Sequence, residues 1–167
     1  DATAYLQAVE AADGQTLEIG IAQAVNDFVV GCKADGTWSA IKASCILAGA
    51  RTLSGALVPL KGTAPTNNNF VSGDYNRETG LVGDGSTKYL NSNRSDNADP
   101  RDNRHLSVFK TAGTTNGCLI GSSQTVGPFN QSTHIDYYIN WRFAAASIDT
   151  TVAAANTTLN FFGVSRL

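Results

Sequence analysis

The chain has 167 residues, of which 42% are hydrophobic and only 16% are charged, with a formal net charge of −2. This charge gives no electrostatic footprint for nucleic acid, and the sequence lacks the run of ~18 apolar residues that membrane insertion by a helix requires. The length suits one domain with an appendage or two very small domains.

The composition changes near residue 50. Residues 1–50 are alanine-rich and contain a single asparagine, whereas residues 51–167 contain the other 13 asparagines, mixed with Thr, Ser and Gly. We therefore predict an α+β chain with a short helical docking unit at 1–50 and an antiparallel β-sandwich at 51–167. The absence of methionine leads us to expect a processed product or a segment of a longer protein.

Apolar periodicity predicts three short helices in residues 1–50. The first covers 3–12, with Thr3 as N-cap and Asp13-Gly14 as its stop, and the second runs from Thr16 to Val30, with Gly31 as its C-terminal cap. Its stripe has the spacing of one buried helical face and consists of Leu17, Ile21, Val25 and Phe28.

The third predicted helix starts at Asp35-Gly36-Thr37 and ends at Gly49, and its apolar face would be Trp38, Ile41, Cys45 and Ala48. Helices this short need a partner surface, and their apolar stripes exceed what one small β domain can cover. We therefore predict subunit contacts, as well as intramolecular ones, through Leu17, Ile21, Val25, Phe28, Trp38 and Ile41.

Cys32, Cys45 and Cys118 are the three cysteines, and an odd number is a weak indication of a disulfide framework. Because Cys32 and Cys45 flank the turn between two predicted helices, they could lie within bridging reach. The alternative is that both are small buried apolar residues.

From residue 51 onward the pattern predicts short strands separated by turns. Residues 65–69 read as a turn or exposed loop, 91–104 as one long polar loop, and 81–82 with 89–90 as a hairpin around Asp84-Gly85. The other predicted strands are 105–110, 118–120, 134–143 and 156–164, whereas residues 144–155 fit either a helix or a strand. Strands about every ten residues are typical of an antiparallel sandwich.

Two segments resemble known proteins. Residues 83–93 (GDGSTKYLNSN), followed after a polar loop by HLSVFK, resemble the early strands of concanavalin A-like jelly rolls of the laminin-G type. Residues 25–90 (VNDFVVGCKADGTWSA through GDGSTKYL) resemble a module of tail-fibre-like and other virion-associated proteins of marine and cyanobacterial phages. The resemblance implies a helical lead-in before a jelly roll, a structural role in the virion or outside the cell, contact with carbohydrate and no established catalytic activity.

The candidate sites for chemistry are few. Concanavalin A-like glucanases place paired glutamates on one strand, and this chain has only Glu10, Glu18 and Glu78, no two of them on one predicted strand. Asp96, Asp99 and Asp102 fit either a calcium site or a solvated loop whose charges cancel, and we favour the loop. We therefore predict no enzyme activity, no cofactor and no metal site.

An aromatic segment could instead contact sugars. Tyr137, Tyr138 and Trp141 form either a sugar-stacking platform or a set of half-buried core rings, and we favour the core. Because loops on a rigid sandwich carry recognition, polar side chains at 63–79 and 91–104 are further candidates. The candidate glycan contacts are Tyr138, Trp141, Asn93 and Asp96.

The preferred functional hypothesis is a structural component of a phage particle, either a capsid-decorating subunit or part of a tail fibre or knob, at the virion surface or otherwise outside the cell. Its partners would be further copies of itself and other virion subunits, with no nucleic acid and no membrane insertion. The alternatives are a carbohydrate-binding module for adsorption to host-surface glycans and a subunit of a non-viral extracellular filament.

Overall fold

A computed structural model describes residues 1–95, 98–100, 104–111, 118–126, 129–136, 140–142, 150–151 and 160–166. For residues 104 and 118, and for those after 121, the description covers the backbone alone. The chain combines a few helices with small antiparallel sheets and is therefore α+β. It divides into two compact units, Asp1–Arg94 and Ser95–Leu167.

The first unit holds three α-helices, α1 (Ala2–Asp13), α2 (Ile19–Ala34) and the single turn α3 (Leu53–Ala56), and one short 3-10 helix, Ser72–Asp74. Its strands form three antiparallel pairs. In chain order they are β1 (Ser44–Cys45), β2 (Pro59–Lys61), β3 (Thr66–Asn68), β4 (Tyr75–Asn76), β5 (Gly80–Leu81) and β6 (Tyr89–Asn91), paired as β1 with β2, β3 with β6 and β4 with β5.

The core of the first unit spans the predicted boundary at residue 50. Its buried residues come from α1, α2, the segment before α3, α3 itself and β2, and they are Ala2, Tyr5, Val9, Val25, Val29, Ala50, Ala56 and Leu60. Helices α1 and α2 are too short to bury their apolar faces against each other alone, so residues 50–60 complete the core. The predicted boundary near residue 50 therefore falls inside the first unit, which extends to Arg94.

The first two predicted helices exist, but three of their predicted ends are wrong. The N–H of Tyr5 donates to the Asp1 carbonyl at 3.0 Å, so α1 begins directly after Asp1 and Thr3 lies inside it. Gly14, with a φ of 69°, ends α1 as predicted. Helix α2 begins after Glu18 rather than at Thr16, and it passes through Gly31, because the N–H of Asp35 donates to the Gly31 carbonyl at 2.9 Å.

The third predicted helix is wrong. Residues 38–40 form a turn, and the next regular element is β1, which pairs with β2 in the register Ser44 with Lys61 and Cys45 with Pro59. Trp38 and Ile46 still pack against the core. The turn at 38–40 and the segment after β1 therefore place Trp38 and Ile46 against the core without a helix, and pairing with β2 overrides the local helical pattern.

The predicted hairpin across residues 81–90 is also wrong, because β5 pairs with β4 and β6 pairs with β3. The Asp84 carboxylate instead holds the loop between β5 and β6, because it accepts hydrogen bonds from the N–H groups of Ser86, Thr87 and Lys88 at 2.8–2.9 Å.

Two predicted loops also differ from the structure. Residues 66–68, predicted as a turn or loop, form β3. In the predicted loop 91–104, Asn91 belongs to β6 and residue 104 to the next strand, and the described residues between them contain no strand.

The second unit is built from antiparallel strands, namely β7 (Arg104–Lys110), β8 (Cys118–Val126), β9 (Phe129–Asp136), β10 (Asn140–Arg142), β11 (Thr150–Thr151) and β12 (Asn160–Arg166). They form a four-stranded sheet of order β11-β10-β9-β8 and a separate pair of β12 with β7. The strands predicted at 105–110 and 118–120 are confirmed.

The strand predicted at 134–143 is divided between β9 and β10, with residues 137–139 and 143 outside the described part. Of the strand predicted at 156–164, residues 160–164 lie in β12 and residues 156–159 are not described. Within 144–155, which the sequence left open, residues 150–151 form β11 and the rest are not described.

Candidate docking groove

The first unit contains a groove of about 800 Å³ beside helix α2. Its lining is mainly apolar and combines two residues of α1, one face of α2, the segment after β1 and the turn between β4 and β5. The lining residues are Tyr5, Val9, Leu17, Glu18, Gly20, Ile21, Ala24, Val25, Phe28, Ile46, Ala48, Gly49, Ala50, Arg77 and Glu78.

The predicted stripe lines this groove, since Leu17, Ile21, Val25 and Phe28 all lie along it. Ile21, Val25 and Phe28 lie in α2 at positions i, i+4 and i+7, which places them on one face of the helix. They differ in depth, because Val25 is buried in the core whereas Phe28 keeps 50% of its surface exposed. The helix thus uses this face both to pack internally and to present apolar surface.

Helix α2 also carries apolar side chains on its other side. Ile19 is 86% exposed, and Val30 is exposed as well. At about 100° per residue, Ile19 and Val30 lie on nearly the same side of the helix, and Phe28 lies about 180° from Ile19. Exposed apolar side chains and the apolar groove therefore lie on opposite faces of one helix.

A charged cluster fixes one rim of the groove. The Arg77 guanidinium donates to both carboxylate oxygens of Glu18, at 2.8 and 2.6 Å, and Arg51 lies 3.1 Å from the same carboxylate. The hydrogen bond from Arg77 is the main reason that the pKa of Glu18 falls from 4.5 to about 2. Arg77 also donates to the Gly49 carbonyl at 3.0 Å, which ties the rim to the chain before α3.

Two other predicted contact residues lie apart from the groove lining. Trp38 is partly buried against the core, and the Lys61 ammonium lies 4.7 Å from the centre of its ring, in a cation–π contact. Ile41 is partly exposed. The predicted contact set therefore divides into four groove residues and two residues elsewhere.

Of the four candidate glycan residues, the structure describes Asn93 in full and only the backbone of Trp141. Trp141 lies in β10 opposite Ile135 and Thr150, and only its backbone is described. Asn93 lies beyond β6, where its amide donates to the Ala64 carbonyl at 3.1 Å. Tyr138 and Asp96 lie outside the described residues.

The sequence left two interpretations each for the cysteines and for the loop that carries Asp96, Asp99 and Asp102. Cys32 and Cys45 are free thiols, both partly buried, and burial raises the pKa of the Cys45 thiol. The described residues contain no group of three His, Cys, Asp or Glu side chains placed to hold a metal ion, and Asp96 and Asp102 are not among them. None of the described helices has the length and apolar character needed to cross a membrane.

Sequence reasoning missed the Glu18–Arg77 pair, because 59 residues separate the partners and neither has a local signal. It placed Tyr89 in a strand but did not identify its ring as a candidate contact, and the structure leaves 57% of this residue exposed on β6. Comparisons with protein-family models, with curated proteins and with solved structures found no match.

Proposed function

We propose that the chain is a structural subunit of a phage particle, either a capsid-decorating protein or part of a tail fibre or knob, that assembles with copies of itself through helix α2. The observation that carries the assembly step is the apolar groove on one face of α2 combined with exposed Ile19 and Val30 on the other. Exposed apolar surface of this kind is typical of a protein–protein interface.

The opposed faces favour a particular mode of assembly. A two-fold interface would place the same patch of both copies in contact, whereas a groove on one face and apolar side chains on the other suit a head-to-tail contact. In this arrangement Ile19 and Val30 of one copy enter the groove of the next. Head-to-tail contacts generate rings or filaments, which suits a fibre or a decorated shell.

The assignment to a phage particle is supported by the resemblance of residues 25–90 to a virion-associated module. That resemblance also leads us to propose a jelly-roll sandwich for the second unit. Two observations support this fold: all its paired strands are antiparallel, and the last strand, β12, pairs along its length with the first, β7. Such return of the chain to its first strand is typical of Greek-key sandwiches.

Light scattering on the full chain over a range of concentrations tests the assembly. We expect the wild type to self-associate, and we expect Ile19→Asp and Phe28→Asp each to remain monomeric. The Ile19→Asp variant keeps its groove, and the Phe28→Asp variant keeps Ile19 and Val30. An equimolar mixture of the two variants should therefore form a one-to-one dimer that adds no further copies. Val82→Asp is the matched control, because Val82 is 59% exposed and lies outside the groove.

A wild-type chain that stays monomeric at high micromolar concentration would contradict self-assembly. If the wild type associates but the mixture of variants does not, the head-to-tail mode is wrong. Electron microscopy of the assembled wild type then distinguishes closed rings from open filaments.

A further inference from the structure

A second surface lies on the strand pair β3–β6. The register places Asn68 opposite Tyr89 and Thr66 opposite Asn91. Directly opposed residues, and residues two apart on one strand, share a face of a sheet, so these four side chains form one strip. Tyr89, Asn91 and Thr66 are exposed, and Asn68 is partly exposed.

The strip offers an aromatic ring with both kinds of hydrogen-bonding group beside it. The amide nitrogen of Asn68 donates to the Thr66 carbonyl at 3.3 Å, and the amide oxygen of Asn91 accepts from the N–H of Asn93 at 2.9 Å. The remaining amide groups, Oδ1 of Asn68 and Nδ2 of Asn91, have no partner among the described residues. The face therefore presents both an amide acceptor, Oδ1 of Asn68, and an amide donor, Nδ2 of Asn91, to a ligand.

Hydrogen bonds hold the strip at both ends. At one end the Asn93 amide donates to Thr66 Oγ1 at 3.0 Å and to the Ala64 carbonyl at 3.1 Å. At the other end the Asn69 amide donates to the Thr87 carbonyl at 2.9 Å. A pre-ordered surface loses less conformational entropy when a ligand binds.

We propose that this strip binds a neutral carbohydrate chain, with Tyr89 as the ring on which a sugar stacks. All five residues of the strip and its end, Thr66, Asn68, Tyr89, Asn91 and Asn93, are uncharged. A sugar ring has an apolar C–H face suited to an aromatic ring, and each of its hydroxyls both donates and accepts, matching the two amide groups. The neighbouring Lys88 ammonium is held by Asp74 at 2.6 Å.

The strip shares no residue with the groove beside α2 and does not depend on the proposed assembly. Because the polar groups of this face are exposed to solvent, one copy binds weakly and several copies on one polysaccharide bind together. The long neutral polymer is therefore the appropriate probe.

Affinity electrophoresis of the full chain in native gels tests the proposal, with dextran, soluble starch or laminarin cast into the gel and heparin as the anionic comparison. We expect at least one neutral polysaccharide to retard the wild type. Tyr89→Ala should lose at least three-quarters of that retardation, whereas Tyr89→Phe, which keeps the ring, should keep more than half. Val82→Ala is the matched control for loss of an exposed apolar side chain, and it should migrate like the wild type.

Absence of retardation of the wild type in all three neutral gels overturns the proposal. Equal loss of retardation in Tyr89→Ala and Val82→Ala also overturns it. Retardation by heparin alone overturns it too, because it would show that cationic side chains bind the polymer. Light scattering on Tyr89→Ala should match the wild type, so failure of glycan binding and failure of self-assembly are distinguishable. Far-UV circular dichroism confirms that each variant is folded.

Discussion

The Asp13 carboxylate, at the end of α1, accepts hydrogen bonds from both the N–H and the hydroxyl of Thr52, at 2.9 and 2.6 Å. Its other oxygen accepts from the N–H of Arg51 at 2.7 Å. The Thr52 hydroxyl in turn accepts from the N–H of Gly55 at 3.2 Å and caps α3. One carboxylate thus fixes a chain segment 39 residues away and completes the core around α1.

Gly55 leaves the space that this carboxylate occupies, because a Cβ at residue 55 would lie 2.1 Å from Asp13 Oδ1. We expect Gly55→Ala to displace the carboxylate and to lower the free energy of unfolding by about 2–3 kcal/mol, the scale of a lost hydrogen bond to a charged group. Urea denaturation measures the change. Gly73→Ala is the control, because nothing lies within 4 Å of its added Cβ.

A double-mutant cycle separates this contact from a general effect of alanine. Once Asp13→Ala has removed the carboxylate, Gly55→Ala should cost much less than it does in the wild type. Strictly additive losses would show that Asp13 and Gly55 do not interact and would contradict the geometry.

Local periodicity predicted the elements whose partners lie nearby in sequence or whose pattern is strong, such as α1, α2 and β7. It failed where a distant segment decides the structure. Residues 38–48 have helical spacing, but β2 draws Ser44–Cys45 into a strand. The groove was partly predictable, because its α2 wall is a stripe, whereas the Glu18–Arg77 rim joins positions 59 residues apart. Tyr89 and the asparagine amides of the strip on β3–β6 could not be placed on one face from the sequence, because that placement requires the register of the two strands.

Gly31 tests the C-terminal end of α2, which the sequence placed too early. It lies inside α2 with nothing within 4 Å of an added Cβ, so Gly31→Ala should stabilise the chain by roughly 0.5–1 kcal/mol through the lower conformational entropy of the unfolded alanine variant. Gly14 is the matched control: it has equal space around its Cβ but a φ of 69°, so Gly14→Ala should destabilise. Thermal melts followed by far-UV circular dichroism measure both. Destabilisation by Gly31→Ala would place the end of α2 at Gly31 after all.

The Glu18–Arg77 pair makes part of the stability depend on pH. Because Arg77 lowers the pKa of Glu18 from 4.5 to about 2 in the folded chain, the unfolded chain takes up the Glu18 proton first as the solution is acidified. The stabilisation is therefore fully present above pH 4.5 and is lost as the pH falls towards 2. We expect the melting temperature of the wild type to exceed that of Glu18→Gln at pH 7, and the difference to shrink progressively below pH 4.5.

Two further comparisons assign that pH dependence to the pair. In an Arg77→Gln background, Glu18→Gln should change the pH dependence of the melting temperature much less. The effect that remains comes from Arg51, which lies 3.1 Å from the Glu18 carboxylate. Because the pair is exposed to solvent, 1 M NaCl should also reduce the difference at pH 7. Parallel pH curves for the wild type and Glu18→Gln between pH 5 and 2 would mean that this contact does not form in solution. The groove would then lack its fixed rim, and Leu17 and Ile21 would be free to reorganise around a partner.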